Sequence, residues 1–272
     1  MLGRFTSTIT AFVISYTACS QDTLYLKQYF RQLRTMDVTI NESTYSFLFD
    51  TGGGETFISP EIAAKMNKPV YGDCTSFRLS GEEVKYQRAD SVTLTLHKTS
   101  FFHTTLGVYD VMQILPKELP KVDGIISLKS FLGHVVTFDL ANNRMIVQDS
   151  LNTRKRSKET LVPSRFANGL SGNEMDVFVG IVKSGYVYWF LFDSGNIRSI
   201  IVSEKIGRQW GLNTHSGESK EPIPISNLYF GKHAFDEIAS VEPIIYEGVL
   251  NYDFIAKRMI TIDFVRREVW SN

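Results

Sequence analysis

The chain has 272 residues, and 43% of them are hydrophobic, which is enough apolar mass for one large β domain or two smaller ones. Lys+Arg and Asp+Glu both number 29, so there is no basic surplus to neutralise phosphates, and general nucleic-acid binding is disfavoured. Two cysteines and five scattered histidines exclude a disulfide framework, a cysteine-rich zinc site and a His-Glu-x-x-His metallohydrolase.

The first residues read as an address. Positions 5 to 21 carry no charge, Arg4 precedes them, and Ala11-Phe12-Val13-Ile14 forms a short apolar centre. This is too short to span a bilayer, which takes about 20 apolar residues, and it fits the h-region of a secretory signal. Tyr16-Thr17-Ala18-Cys19 resembles a bacterial lipobox, which implies cleavage after residue 18 and lipid on Cys19. The expectation is export to the periplasm or cell envelope, with membrane association only through that lipid. Residues 22 to 34 then read as a propeptide or as a first strand.

A strand over Asp37–Ile40 and a polar turn lead into Phe47-Leu48-Phe49-Asp50-Thr51-Gly52. An apolar pair (Phe57-Ile58) and a short helical pattern from Pro60 to Met66 follow. A hairpin is expected over Phe77–Tyr86 with its turn at Ser80, Gly81 and Glu82. Asp90–Leu96 alternates polar and apolar with period two and reads as a strand. Gly124-Ile125-Ile126 opens a stretch that ends Val136-Thr137-Phe138-Asp139-Leu140, and a last strand runs from Arg144 to Val147. Residues 149–174, with the basic run Arg154-Lys155-Arg156-Ser157-Lys158, read as a solvated linker.

The same landmarks then recur in the same order. A strand over Val177–Ile181 and a turn lead into Phe190-Leu191-Phe192-Asp193-Ser194-Gly195. An apolar pair (Ile200-Ile201) and a helical pattern from Ser203 to Trp210 follow, and Ile225–Phe230 reads as a strand. Gly248-Val249-Leu250 opens a stretch ending Ile260-Thr261-Ile262-Asp263-Phe264, and Glu268–Trp270 closes the chain. The reading is a duplicated β domain with lobes at 35–148 and 175–272.

An apolar strand that ends in Asp is costly unless the carboxylate is hydrogen-bonded or shares a proton. The hydroxyl of Thr51 or Ser194 can orient the loop, and Gly52 or Gly195 allows a tight turn that brings N–H groups to the carboxylate. One Asp-Thr-Gly is a weak signal. Two at the ends of equivalent strands let a pseudo-two-fold axis bring Asp50 and Asp193 together. Two touching carboxylates cannot easily both ionise, so the pair holds one proton and one charge. That state suits one group to activate water while the other protonates a carbonyl oxygen.

On these motifs the chain resembles the aspartic peptidases of pepsin-like and retropepsin-like fold, over roughly residues 35 to 272. Val122-Asp123-Gly124-Ile125-Ile126 and Glu247-Gly248-Val249-Leu250 look like the family's segments that pass behind the catalytic loops. Gly248–Ile255 is especially close to the bacterial branch. The resemblance implies an all-β, bilobal fold with a cleft between the lobes, and Asp50 and Asp193 as the catalytic pair. It further implies a peptide or protein substrate, no metal or organic cofactor, and a monomer. Asp50 to Gly124 spans 74 positions and Asp193 to Gly248 only 55, as expected if the first lobe alone carries a flap. After each Asp-Thr/Ser-Gly the family has Ala, Ser or Thr, whereas Gly53 and Asn196 stand here. Gly53 therefore leaves Asp50 to backbone donors, and Tyr86 lies on the wrong side of the turn for the flap tyrosine.

Three rival readings stand beside this one. A catalytically weak or inactive protein of this fold could bind a peptide or glycan in the cleft. An actin-like ATPase would use the Gly52-Gly53-Gly54 run against phosphate but needs long helices. A serine hydrolase lacks its Gly-x-Ser-x-Gly element.

Overall fold

The computed structural model describes residues 21–149, 159–169, 172–212 and 221–272. The leader, Cys19 and the Arg154–Lys158 run lie outside the described residues. The described residues form mainly strands, and their α-helices are only five or six residues long. No helix among the described residues is long and apolar enough to cross a membrane.

Among the described residues the strands form three sheets. The first lobe holds eight strands in the spatial order Lys27–Phe30, Leu33–Ile40, Ser43–Phe49, Gly124–Ile126, Phe57–Ile58, Thr99–Val108, Glu83–Leu96, Tyr71–Phe77. The second holds seven, in the order Ser164–Ala167, Asp176–Lys183, Tyr186–Leu191, Gly248–Val249, Ile200–Ser203, His233–Glu242, Ile223–Phe230. Each sheet curls until distant strands meet, at Thr39 against Thr95 in one lobe and at Ile181–Lys183 against Leu228–Phe230 in the other. The expected all-β, bilobal architecture is the one observed.

The third sheet joins the lobes. His134–Asp139 pairs antiparallel with Ile260–Asp263, and the two matched threonines, Thr137 and Thr261, face each other with hydroxyls 2.9 Å apart. Antiparallel pairing of equivalent residues is what a two-fold axis between the halves requires. Behind this seam Phe138 is fully buried, with ring centroids 6.2 Å from Phe49 and 5.6 Å from Phe192. These two phenylalanines directly precede the two aspartates.

The repeated motifs share one local construction. Phe47–Phe49 lies parallel to Gly124–Ile126, and Phe190-Leu191 parallel to Gly248-Val249. A side chain at Gly124 or Gly248 would strike the ring of Phe47 or Phe190, so each glycine is set by the aromatic residue folded over it. The acidic residue before each glycine accepts a backbone N–H from the entering strand, Ser46 to Asp123 at 3.1 Å and Trp189 to Glu247 at 2.6 Å. Both expected helices form, over Pro60–Lys65 and Glu204–Gln209. Ser59 and Ser203 cap them, each accepting the N–H three residues on at 3.3 Å.

Two segments carry more structure than their sequence announced. Gln21–Tyr25 and Lys27–Phe30 are strands, the first in the interlobe sheet and the second on the edge of the first lobe. Within the segment read as linker, Thr160–Val162 joins the interlobe sheet and Ser164–Ala167 pairs with Asp176–Val179. Pro163 interrupts any alternation between these two short edges, and only the partner strands reveal them.

Candidate functional site

Asp50 and Asp193 emerge from equivalent strands at the seam between the lobes, and each loop is held by the other. Thr51 N–H donates to Ser194 Oγ (3.1 Å) and Ser194 N–H donates to Thr51 Oγ1 (2.8 Å). The Thr51 hydroxyl donates in turn to the Phe192 carbonyl (2.8 Å). Thr51 and Ser194 are buried, so these bonds are shielded from water. The glycines give the carboxylates room: a Cβ on Gly52 would lie 2.6 Å from Asp193 Oδ1, and one on Gly195 would lie 2.6 Å from Asp50 Oδ1. The structure thus brings Asp50, Thr51, Gly52, Asp193, Ser194 and Gly195 into one cluster.

The electrostatics favour a shared proton. Gly52 N–H donates to Asp50 Oδ1 at 2.9 Å, and Gly195 and Asn196 N–H donate to Asp193 Oδ1 at 2.7 and 3.1 Å. These bonds favour the charged forms but do not outweigh burial. Burial raises Asp50 above the ordinary carboxylate range, and burial together with the charge of Asp50 raises Asp193 well above it. The pair titrates as a unit, so its proton is held to higher pH than a free aspartate would hold it.

The two residues where the motif departs behave differently. The Asn196 side chain donates to the carbonyls of Ser199 (3.1 Å) and Leu250 (3.2 Å) and accepts from Arg198 N–H (3.1 Å). Gly53 brings no side chain, and its N–H reaches only the Asp50 carbonyl at 3.4 Å. Gly53 and Gly54 instead form part of a cavity wall.

Over the cleft lies the hairpin of Tyr71–Phe77 and Glu83–Leu96. Ser80, Gly81 and Glu82 sit at its tip, where Arg78 N–H donates to the Glu82 carbonyl (2.8 Å) and Gly81 adopts φ +86°. The tip reaches the opposite lobe, because Ile245 N–H donates to the Leu79 carbonyl at 3.0 Å. Tyr86 is buried edge-on against Phe57, 5.0 Å between centroids, on the returning strand. Beneath the hairpin, cavities of ≈ 290 and ≈ 450 Å³ flank the aspartates, and both are lined by Asp50, Phe77, Arg78 and Tyr246.

Several polar residues here were invisible to sequence reasoning. Glu55, buried, is paired with Lys129 Nζ at 2.7 and 2.8 Å, and burial still pushes its carboxyl up to about 7. Asp176 is also pushed up to about 7, by burial first and then by the charges of Glu174 and Asp50. Glu174 and Asp176 both stand just ahead of the strand expected over Val177–Ile181, and no local pattern marks them as cleft residues. Among the described residues no cluster has the makings of a metal site.

Comparison with known proteins agrees with this geometry. A search of the curated proteins gives no match. The structure is similar to that of basic 7S globulin from soybean, with a TM-score of 0.59 at 9% identity over 94% of this chain and 96% of that one. It is also similar to conglutin gamma, a basic 7S globulin from lupine seeds, with a TM-score of 0.55 at 9% identity over 94% and 95%. At such identity the likeness concerns the fold alone. Residues 36–129, which include Asp50 and the hairpin, match the family model described as aspartyl protease, and the chain is aspartic-peptidase-like in sequence motif and in its two-lobed fold.

Proposed function

We propose that the protein is an aspartic endopeptidase that cleaves peptide bonds with a water held between Asp50 and Asp193. The observation that carries this reading is the reciprocal packing of the two loops, in which each glycine makes room for the other lobe's carboxylate. In the singly protonated pair, the ionised carboxylate takes a proton from water as it attacks the peptide carbonyl. The protonated carboxylate donates to the carbonyl oxygen, and the tetrahedral adduct collapses with proton transfer to the leaving nitrogen. The hairpin tip, tied to Ile245, covers the substrate and keeps bulk water from the reacting bond.

One chain supplies both aspartates, so a monomer suffices for the chemistry. The apolar leader and Cys19 support an exported, lipid-held enzyme. The test is digestion of a peptide library by the purified protein, with Asp50→Asn and Asp193→Asn alongside. Cleavage by the native protein, lost in both variants and blocked by a statine-type peptide, supports the reading. Cleavage that survives either substitution overturns it.

A further inference from the structure

The cavity on the Gly52–Gly54 side of the aspartates carries more negative charge than the reaction uses. Glu174 is only 9% exposed, lines this cavity, and its Oε1 has no hydrogen-bond partner among the described residues. An unpartnered carboxylate oxygen at that depth is costly without a counter-charge. Asp176, half-buried, lines the same cavity, and a Cβ on Gly54 would lie 3.2 Å from its Oδ1, so a side chain at position 54 would crowd that oxygen. The one cationic side chain on the cavity wall, among the described residues, is Arg78, and it turns to Glu82 across the hairpin tip at 3.7 Å. Lys129 is taken by Glu55 and the Thr105 carbonyl. Phe57, Phe77, Val84, Ile114 and Ile125 supply an apolar stretch of the wall, and Ser76 and Asn168 also line the cavity.

An acidic end behind an apolar wall suits a particular shape of ligand: a flexible hydrocarbon stem with a cationic head. We infer that this cavity is a substrate subsite for a lysine or arginine side chain beside the scissile bond, with Glu174 and Asp176 receiving its charged head. The inference rests on the peptidase reading for its substrate, while the cavity's charge stands apart from it. A bound cation would also favour the ionised form of Asp176, whose proton burial and neighbouring charge otherwise retain to about pH 7.

The test uses the full chain and a peptide series in which one lysine, arginine or norleucine is walked through the positions flanking the cleaved bond. At one position the basic residue should raise kcat/KM over norleucine by roughly tenfold to a hundredfold, as for a charge-assisted pair. In Glu174→Gln and Asp176→Asn the ratio of basic to norleucine turnover, measured on one preparation, should fall toward one. A ratio cancels any loss of folded protein. Absence of a basic preference at every position, or a ratio unchanged in both variants, overturns the subsite. If the native protein cleaves nothing, the peptidase reading fails, and calorimetry with matched statine peptides decides the subsite by itself. Tighter binding of the lysine peptide, dependent on Glu174 or Asp176, supports it; equal affinity or no binding overturns it.

Discussion

The two aspartate loops start alike and are secured in opposite ways. In the second lobe the residue after Asp193-Ser194-Gly195 is Asn196, whose side chain makes three hydrogen bonds inside its own lobe. In the first lobe that place is Gly53, and support comes from below, through the buried pair of Glu55 and Lys129. Five residues after each aspartate the charge is inverted: Glu55 in one lobe, Arg198 in the other, paired with Glu242 at 2.9 and 3.2 Å. Duplication has kept the hydroxyl exchange at the axis and let each flank diverge. The first flank leaves Gly53 and Gly54 bare in a cavity wall, whereas in the second the Asn196 side chain is bonded into its own lobe.

This symmetry at the axis fails first if the lobes are unequal in the chemistry itself. Asp50→Asn and Asp193→Asn should each lower kcat/KM by roughly a thousandfold, since general acid–base work needs both groups in one proton-sharing pair. Retention of activity in one variant would make the lobes chemically unequal. The next largest effect is on stability. Lys129→Met leaves Glu55 buried without its counter-charge and should cost about 3–5 kcal/mol in urea unfolding near pH 8. The sign is set by the carboxyl. Loss of Lys129 raises Glu55 further above about 7, so below that pH the group is neutral and the cost shrinks. Arg198→Met should cost under about 1 kcal/mol, because the guanidinium is half exposed.

Smaller differences lie in the loops themselves. Asn196→Ala removes three bonds and should lower unfolding stability by roughly 2–4 kcal/mol. Gly53→Ala should stay within about 1 kcal/mol, because its Cβ would meet neighbours at 3.4 Å or more. The smallest expected effect is a pH shift. In Gly53→Ser the new hydroxyl can donate to Asp50, whose Cγ lies 3.6 Å from the place a Cβ would take, and so favour its charged form. The raised pKa of the pair falls, and the alkaline limb of the kcat/KM profile should move down by under about one pH unit. A limb that moves up would show that the hydroxyl does not reach the carboxylate.

Much of this architecture is written in short stretches of the chain. Phe-Leu-Phe-Asp before a hydroxyl and a glycine encodes a buried strand and a tight loop, the pattern after each apolar pair announces a short helix, and the repeat of these landmarks announces two lobes. The extra length of the first repeat marks the hairpin. Such signals need only local periodicity and repetition, so they can be read one segment at a time. The edge strands around Pro163, the union of Glu55 with Lys129, and the placement of Glu174 and Asp176 beside Asp50 have no local signature. Each joins residues far apart along the chain, and only the closing of the sheets brings them within reach. The order of residues dictated that there would be two aspartate loops on two like strands. Tertiary packing settled that they meet, what holds each in place, and how much negative charge surrounds them, because burial and distance are properties of packed neighbours rather than of sequence neighbours.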